Sequence, residues 1–223
     1  GDVPADAVGE FDTEEGIEIL ENALAARGDA VVRIGNVRKL AAFLADGQRV
    51  DLVFNMAEGL GGRSREGQVP SLLEAYQIPY VGSDPLTMAL CLDKALTKIL
   101  WRAAGIPTPD FAVVPGPAQL DRSDGLPPLP LFVKPLYEGT SKGIDPASVV
   151  ETWEALEARV AWAVETYRQP ALVEAFLPGR EFSVGILGTG AEAEVFGVTE
   201  LDVPRPYGVL DYEEKLRRDY ETT

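Results

Sequence analysis

Residues 115–130, PGPAQLDRSDGLPPLP, hold five prolines and two glycines. Neither a helix nor a central strand survives that density, because proline removes a backbone donor and glycine adds an entropic cost. The chain therefore passes through an irregular connector here, and the patterns on its two sides differ. Upstream, Asp12 and Glu15 read as a capping box for a helix carrying Ile17, Leu20 and Leu24, ended by Gly28. AVVRIG reads as a strand, and Asn36 caps a second helix with Val37, Leu40, Phe43 and Leu44 on one face, closed by Gly47. VDLVFNM is a second strand, followed by a polar loop (57–67), a helix with Val69, Leu72, Leu73 and Tyr76, and a third strand, IPYVGS. Ser83 or Asp84, with Pro85 behind it, opens a long helix to Gly105, and IPTPDFAVV enters a further strand. Such alternation predicts a doubly wound, parallel α/β domain over residues 1–84. Downstream, LFVKP is a strand and 137–145 a loop. A helix follows with Trp153, Leu156, Val160, Val164 and Tyr167 on its apolar face. ALVEAFL, EFSVGILG and EVFGVTEL then follow one another across short glycine-containing turns, which predicts an antiparallel sheet in an α+β region over 85–223.

Charge narrows the partners. A net charge of −16, from 20 basic and 36 acidic residues, repels phosphate backbones and anionic lipid, so neither nucleic acid nor a membrane is an expected partner. An anionic ligand needs a local basic patch against that field. The chain has no histidine, which excludes imidazole triads and argues against a zinc site. The lone cysteine, Cys91 in MALCLDKAL, reads as a buried spectator thiol; one cysteine permits no intrachain disulfide and fits a reducing cytosol. No apolar run reaches spanning length and no signal peptide is visible, so a cytoplasmic location is expected, with a homodimer left open.

The residues that invite chemistry follow the connector. In LFVKPLYEGTSKGID, Pro135 holds Lys134 in extended geometry at a strand end. Gly139, Thr140, Ser141 and Gly143 then offer N–H groups and hydroxyls that can converge on an anion. A fixed ammonium beside such a loop suits a polyphosphate, and little packing is expected of the loop, so mobility without ligand is expected too. In LVEAFLPGREFSV, Glu174 and Glu181 flank a strand–turn–strand able to present backbone groups to an adenine edge, and in LDKALTK, Lys94 and Lys98 lie four apart on a helix. Taken singly these are ordinary: a snorkelling lysine, a surface turn, a solvated pair. No Walker loop occurs, and GLGG at 59–62 does not fit the dinucleotide fingerprint, which disfavours a dinucleotide-dependent oxidoreductase.

Four segments in order, LDKALTKILWRAAGIPTPDFAVV, LFVKPLYEGTSKGI, ALVEAFLPGREFSVGILG and LDYEEK, resemble the ATP-grasp carboxylate–amine ligases of the D-alanine–D-alanine ligase type, from about Asp51 to Lys215. The resemblance implies an ATP-grasp fold and two phosphate-contacting lysines, Lys94 and Lys134. Glu174 and Ala175 would receive the adenine amino group, Leu177 would donate its backbone N–H to the ring, and Glu181 would hold the ribose. Thr140 and Ser141 fall in the loop that closes over the phosphates, and Lys215 matches a lid lysine. The implied reaction transfers the ATP γ-phosphoryl group to a carboxylate; an amine displaces phosphate from the acyl phosphate and an amide results.

Departures from the family pattern concern the substrate side. Glu58 stands where a histidine is usual, Leu216 replaces a lid aromatic, and the orienting glutamate near the amino terminus has no counterpart. A charged Glu58 and an apolar Leu216 predict an amino-acid or peptide ligase that discriminates against D-alanine. The family's Mg²⁺ ligands, an Asp and a Glu-x-Asn, have no counterpart here and are expected beyond Thr223. The alternative is a nucleotide-binding module that keeps the ATP cleft without turnover.

Overall fold

The structure, a computed structural model, describes residue 6 and residues 9–121, 125–202 and 221–222. The backbone divides into two units, Ala7–Ile106 and Pro107–Thr223 together with Gly1–Asp6.

In the unit Ala7–Ile106, side-chain acceptors set where helices begin. α1 (Glu14–Ala26) is capped by Thr13, whose hydroxyl accepts from the Gly16 N–H at 3.1 Å, one residue later than the Asp12 start. α2 (Val37–Ala45) starts as expected at Asn36, whose Oδ1 accepts from Arg38 and Lys39 at 3.2 Å each. Leu40 and Leu44 of α2 pack with Val69 and Leu73 of α3 (Gln68–Ala75) and with Ile78 to form the core of this unit. β1 (Val53–Phe54) and β2 (Tyr80–Val81) pair in parallel, as the alternation predicts. AVVRIG forms no strand: it has no ladder partner among the described residues, and β propensity alone makes no sheet. The expected long helix is two helices, α4 (Pro85–Leu92), capped by Asp84, and α5 (Lys94–Ala103). Asp93 separates them with extended backbone, its Oδ1 accepting from the Leu96 N–H at 3.1 Å and its carboxylate pairing with Arg63. A short acidic side chain that captures N–H groups ends one helix by starting the next. Cys91 on α4 is exposed rather than buried. α4 is apolar almost all round, so its sequence carried no signal for the covered face.

The second unit is built on β3 (Phe111–Val114), β4 (Leu131–Pro135), β5 (Val149–Val150) and β6 (Ala171–Ala175), an antiparallel sheet in the order β3-β6-β4-β5. α6 (Trp153–Tyr167), capped by the Thr152 hydroxyl, covers one face. Its Leu156, Val160 and Ala163 bury against Leu131, Val133, Val150 and Val173. Leu156, Val160, Val133 and Val173 are all 0% exposed, and burying a side chain of this kind contributes about 1.5–3 kcal/mol. Among its described residues the connector is irregular except for a 3₁₀ turn at Pro117–Gln119, yet Leu120 and Leu126 anchor it to this core. β7 (Glu181–Leu187), β8 (Glu194–Asp202) and β9 (Glu221–Thr222) form a second antiparallel sheet. Along β4, Leu131, Val133 and Pro135 are buried while Phe132 and Lys134 are half-buried. The two-residue period therefore turns Lys134 to the sheet face opposite α6. Among the described residues no helix is long and apolar enough to cross a membrane.

Candidate functional site

Opposite α6, the sheet gathers an ammonium, a carboxylate and two aromatic rings. Lys134 Nζ lies 2.6 Å from Glu174 Oε1, and Glu174 is 7% exposed. Register explains the pairing: Phe132 is directly opposite Glu174 and Lys134 opposite Leu172, so lysine and glutamate are diagonal neighbours on one face. The Phe132 and Phe176 rings stack with centroids 6.4 Å apart, and Lys134 Nζ sits 5.5 Å from the Phe132 centroid. The other expected adenosine residues follow along the chain from β6 to β7. The Ala175 N–H donates to the Asp110 carbonyl at 2.9 Å, Leu177 is exposed, and Glu181 is exposed at the start of β7.

After Pro135 the chain makes the loop expected to cradle an anion. Thr140 and Ser141 are the central residues of a turn closed by the Lys142 N–H to the Gly139 carbonyl at 2.9 Å. Both have positive φ, 46° and 57°. That is the type I′ pattern, normally filled by Asn-Gly, and a residue with a Cβ in this conformation costs roughly 1–2 kcal/mol. Thr140→Gly is therefore expected to raise stability by up to about 1 kcal/mol, after allowing for glycine's greater unfolded-state entropy, as read by denaturant melts. The base of the loop is better packed than its composition suggests. Gln169 accepts from the Tyr137 N–H at 2.5 Å and donates to Glu138 at 2.6 Å, while Lys142 pairs with Glu138 at 2.6 Å.

Glu58 belongs to the other unit. Its carboxylate shares a cluster with Glu10 and Glu66, all within 4.8 Å of one another. Arg65, 7% exposed, pairs with Glu10 at 3.2 Å and Glu66 at 2.9 Å. Desolvation, and then hydrogen bonding and charge from Glu66, push the Glu58 carboxyl up from 4.5 to about 8, with Arg65 opposing. Both effects work against the charged Glu58 expected from sequence, and two neighbouring carboxylates already claim the guanidinium. The space lined by Glu58, Val37, Arg65 and Gln68 is about 10 Å³, room for one water. Because the folded pKa lies above the unfolded one, the folded state binds the extra proton between about 4.5 and 8, so stability falls as pH rises through that window. Glu58→Gln should flatten that fall, by about 1–2 kcal/mol at pH 8.5 once screening at this exposed residue is allowed for. Thermal melts across pH test it: a variant whose pH profile matches the parent's refutes the assignment.

Lys94 is the first residue of α5, in the unit Ala7–Ile106, and Lys98 on the same helix is buried. Lys215 and Leu216 lie outside the described residues. A family model for the D-ala D-ala ligase C-terminus matches residues 100–223, more than half of the chain. The chain belongs to the D-alanine–D-alanine ligase family. The D-alanine–D-alanine ligase of Chromohalobacter salexigens is 39% identical over 169 residues, covering 76% of this chain and 50% of the relative. An uncharacterized protein of Sinorhizobium fredii, y4sG, is 38% identical over 152 residues, covering 68% of this chain and 43% of the relative. The chain thus spans about half the length of these curated relatives. The D-alanine–D-alanine ligase of Bacillus anthracis, solved in complex with ATP, matches with a TM-score of 0.67 at 20% identity, over 96% of this chain and 67% of that one. The fold is ATP-grasp.

Within the D-alanine–D-alanine ligase frame, the structure brings Lys134 and Glu174 together and sets Thr140 and Ser141 on the loop leaving the same strand. Phe132, Phe176, Gln169 and Arg159 were not singled out from sequence. For Arg159 a signal existed: it shares the buried stripe of α6 with Leu156, Val160 and Ala163, and an arginine on such a stripe needs buried acceptors.

Proposed function

We propose that the chain binds ATP over the Phe132–Lys134–Glu174–Phe176 face and serves a ligase that joins a carboxylate to an amine through an acyl phosphate. The observation that carries this reading is the Lys134–Glu174 pair beside two stacked rings, at the end of the strand that leads into the hydroxyl-bearing turn. An ammonium has three donors and the pair uses one, so Lys134 can hold Glu174 and still present donors to a phosphate. Glu174 and Ala175 receive the adenine amino group, the Leu177 N–H meets the ring, and Glu181 takes the ribose. Thr140 and Ser141 cover the phosphates and keep water from a reactive acyl phosphate. The ATP complex of the Bacillus anthracis relative supports this choice of nucleotide. The assignment of Lys94 to a phosphate rests on its motif, LDKALTK.

Mg²⁺ would neutralise phosphate charge in such a reaction. Among the described residues, the Glu10–Glu58–Glu66 cluster does not fit it: Arg65 already compensates the cluster and Glu58 holds a proton. The proposed substrates are amino acids or peptides. With its carboxyl pushed up toward the protonated form, Glu58 repels a carboxylate less than an ordinary glutamate would, so discrimination against D-alanine rests more on Leu216. The single cysteine suits a cytoplasmic enzyme. Calorimetric titration with a non-hydrolysable ATP analogue, paired with hydrogen exchange, tests the reading. Binding with new protection in 137–145 is expected; neither heat nor protection at millimolar nucleotide would overturn it.

A further inference from the structure

Gly143 ends the hydroxyl-bearing loop, and it is gripped on both sides of its peptide plane. Its N–H donates to Asp6 Oδ2 at 2.8 Å, and its carbonyl accepts from Arg159 Nη2 at 2.9 Å. Both partners come from far away in the sequence and both are buried, Asp6 at 8% exposed and Arg159 at 7%. Two further bonds of Arg159 are local: Nη2 also donates to Ser148 Oγ at 2.9 Å and Nη1 to Asp145 at 3.0 Å, while Nε is buried with no hydrogen-bond partner among the described residues. Its guanidinium carbon lies 3.8 Å from the centroid of the Trp162 ring, which fixes its plane. On the other side Asp6 Oδ2 also accepts from the Tyr167 hydroxyl at 2.6 Å, while its Oδ1 is buried with no hydrogen-bond partner among the described residues. An orphaned carboxylate oxygen is costly, so the position of Asp6 is held by what Oδ2 does.

The grip reaches Lys134 through van der Waals contact. An added Cβ on Gly143 would lie 2.6 Å from Pro135 Cγ and 2.9 Å from Tyr167 Cε2, so glycine here lies directly against the residue that follows Lys134. The two ends of the loop are thereby fixed to each other, and the Thr140–Ser141 turn stands between fixed posts. We propose that Arg159 is a positioning residue for the phosphate loop: with Asp6 it clamps Gly143, and through Gly143 it sets where the loop hydroxyls and N–H groups stand relative to Lys134. This role rests on the nucleotide reading above. It adds that the moving part is the turn alone, while the loop's carboxyl-terminal post does not move.

Arg159→Met keeps an unbranched apolar stem and removes the guanidinium with every donor; Arg159→Lys keeps the charge and one point of contact. Asp6→Ala releases Gly143 from its other side. In a folded Arg159→Met protein, exchange across 139–145 is expected to quicken about tenfold, with β4 and β6 unchanged, the scale of one charge-assisted hydrogen bond. Affinity for a non-hydrolysable ATP analogue should fall about tenfold while adenosine, which has no phosphates, binds within about twofold of the parent. Arg159→Lys should recover part of both losses, and Asp6→Ala should loosen the same segment. Loop exchange equal to the parent's overturns the clamp. Loosening that spreads into β4 and β6, with adenosine and ATP analogue weakened alike, overturns positioning and makes Arg159 a fold-holding residue only. A parent protein that binds neither ligand overturns the nucleotide reading and this role with it. That failure is told apart from failure of the clamp because loop exchange is read without ligand.

Discussion

Lys134→Ala is expected to weaken ATP binding about ten- to a hundredfold, the 1.5–3 kcal/mol carried by a charge-assisted hydrogen bond. The substitution does a second thing. It leaves Glu174, at 7% exposed, without the ammonium that lies 2.6 Å away, so stability falls as well, by roughly 3 kcal/mol if the carboxylate stays ionised. The two effects separate in a double variant. Lys134→Met with Glu174→Gln removes the pair without stranding a buried charge, and its stability should return to within about 1 kcal/mol of the parent. Measured against Glu174→Gln alone, which already loses the carboxylate proposed to meet adenine, its affinity for ATP should be lower by about the same ten- to a hundredfold. Recovery of affinity together with stability would mean that the lysine serves the sheet and not the phosphates.

Gly143→Ala should cost about 2–5 kcal/mol, combining the strain of a positive φ with overpacking. Its φ is +71°, and the new methyl would meet the Pro135 ring at 2.6 Å and the Tyr167 ring at 2.9 Å, neither of them the free end of a flexible chain. Gly47→Ala is the matched control: φ is +79° there, yet nothing lies within 4 Å of the added carbon. Denaturant melts of the two variants should therefore differ by the overpacking alone, about 1–3 kcal/mol. Equal losses would show that Pro135 and Tyr167 yield to the methyl and that Gly143 is no fixed post.

What could be read ahead of the structure was what depends on near neighbours in the chain. The β4 strand runs from Leu131 to Pro135 as expected, because alternating burial and a proline boundary are both local. Asn36 caps the helix it was expected to open, and of the two starts offered, Ser83 and Asp84, it is Asp84 that caps, since a cap acts over two or three residues. Asp93 shows the limit. It was read as part of one long helix, because a continuous apolar pattern on either side hid the break it makes between α4 and α5. Long-range terms were invisible. The bond from Gly143 to Asp6 spans 137 residues, and no periodicity encodes it. Glu58 looked charged because its shift comes from desolvation and then from Glu66, both of which exist only once the loop has packed.

The strand order β3-β6-β4-β5 bears on how the chain acquires its shape over time. During synthesis β3 and β4 emerge first, and neither pairs with the other; β4 can take β5 as soon as Val150 has emerged, but β3 has no partner in this sheet until β6, which ends at Ala175. Until then the nascent chain carries the open β6-facing edges of β3 and β4, and Leu156 and Val160 of α6 lack the part of their cover that Val173 supplies. Joining β3 to the β4–β5 pair is therefore a late step with a large loop to close. The interval before β6 arrives is the one in which this protein has most need of a chaperone.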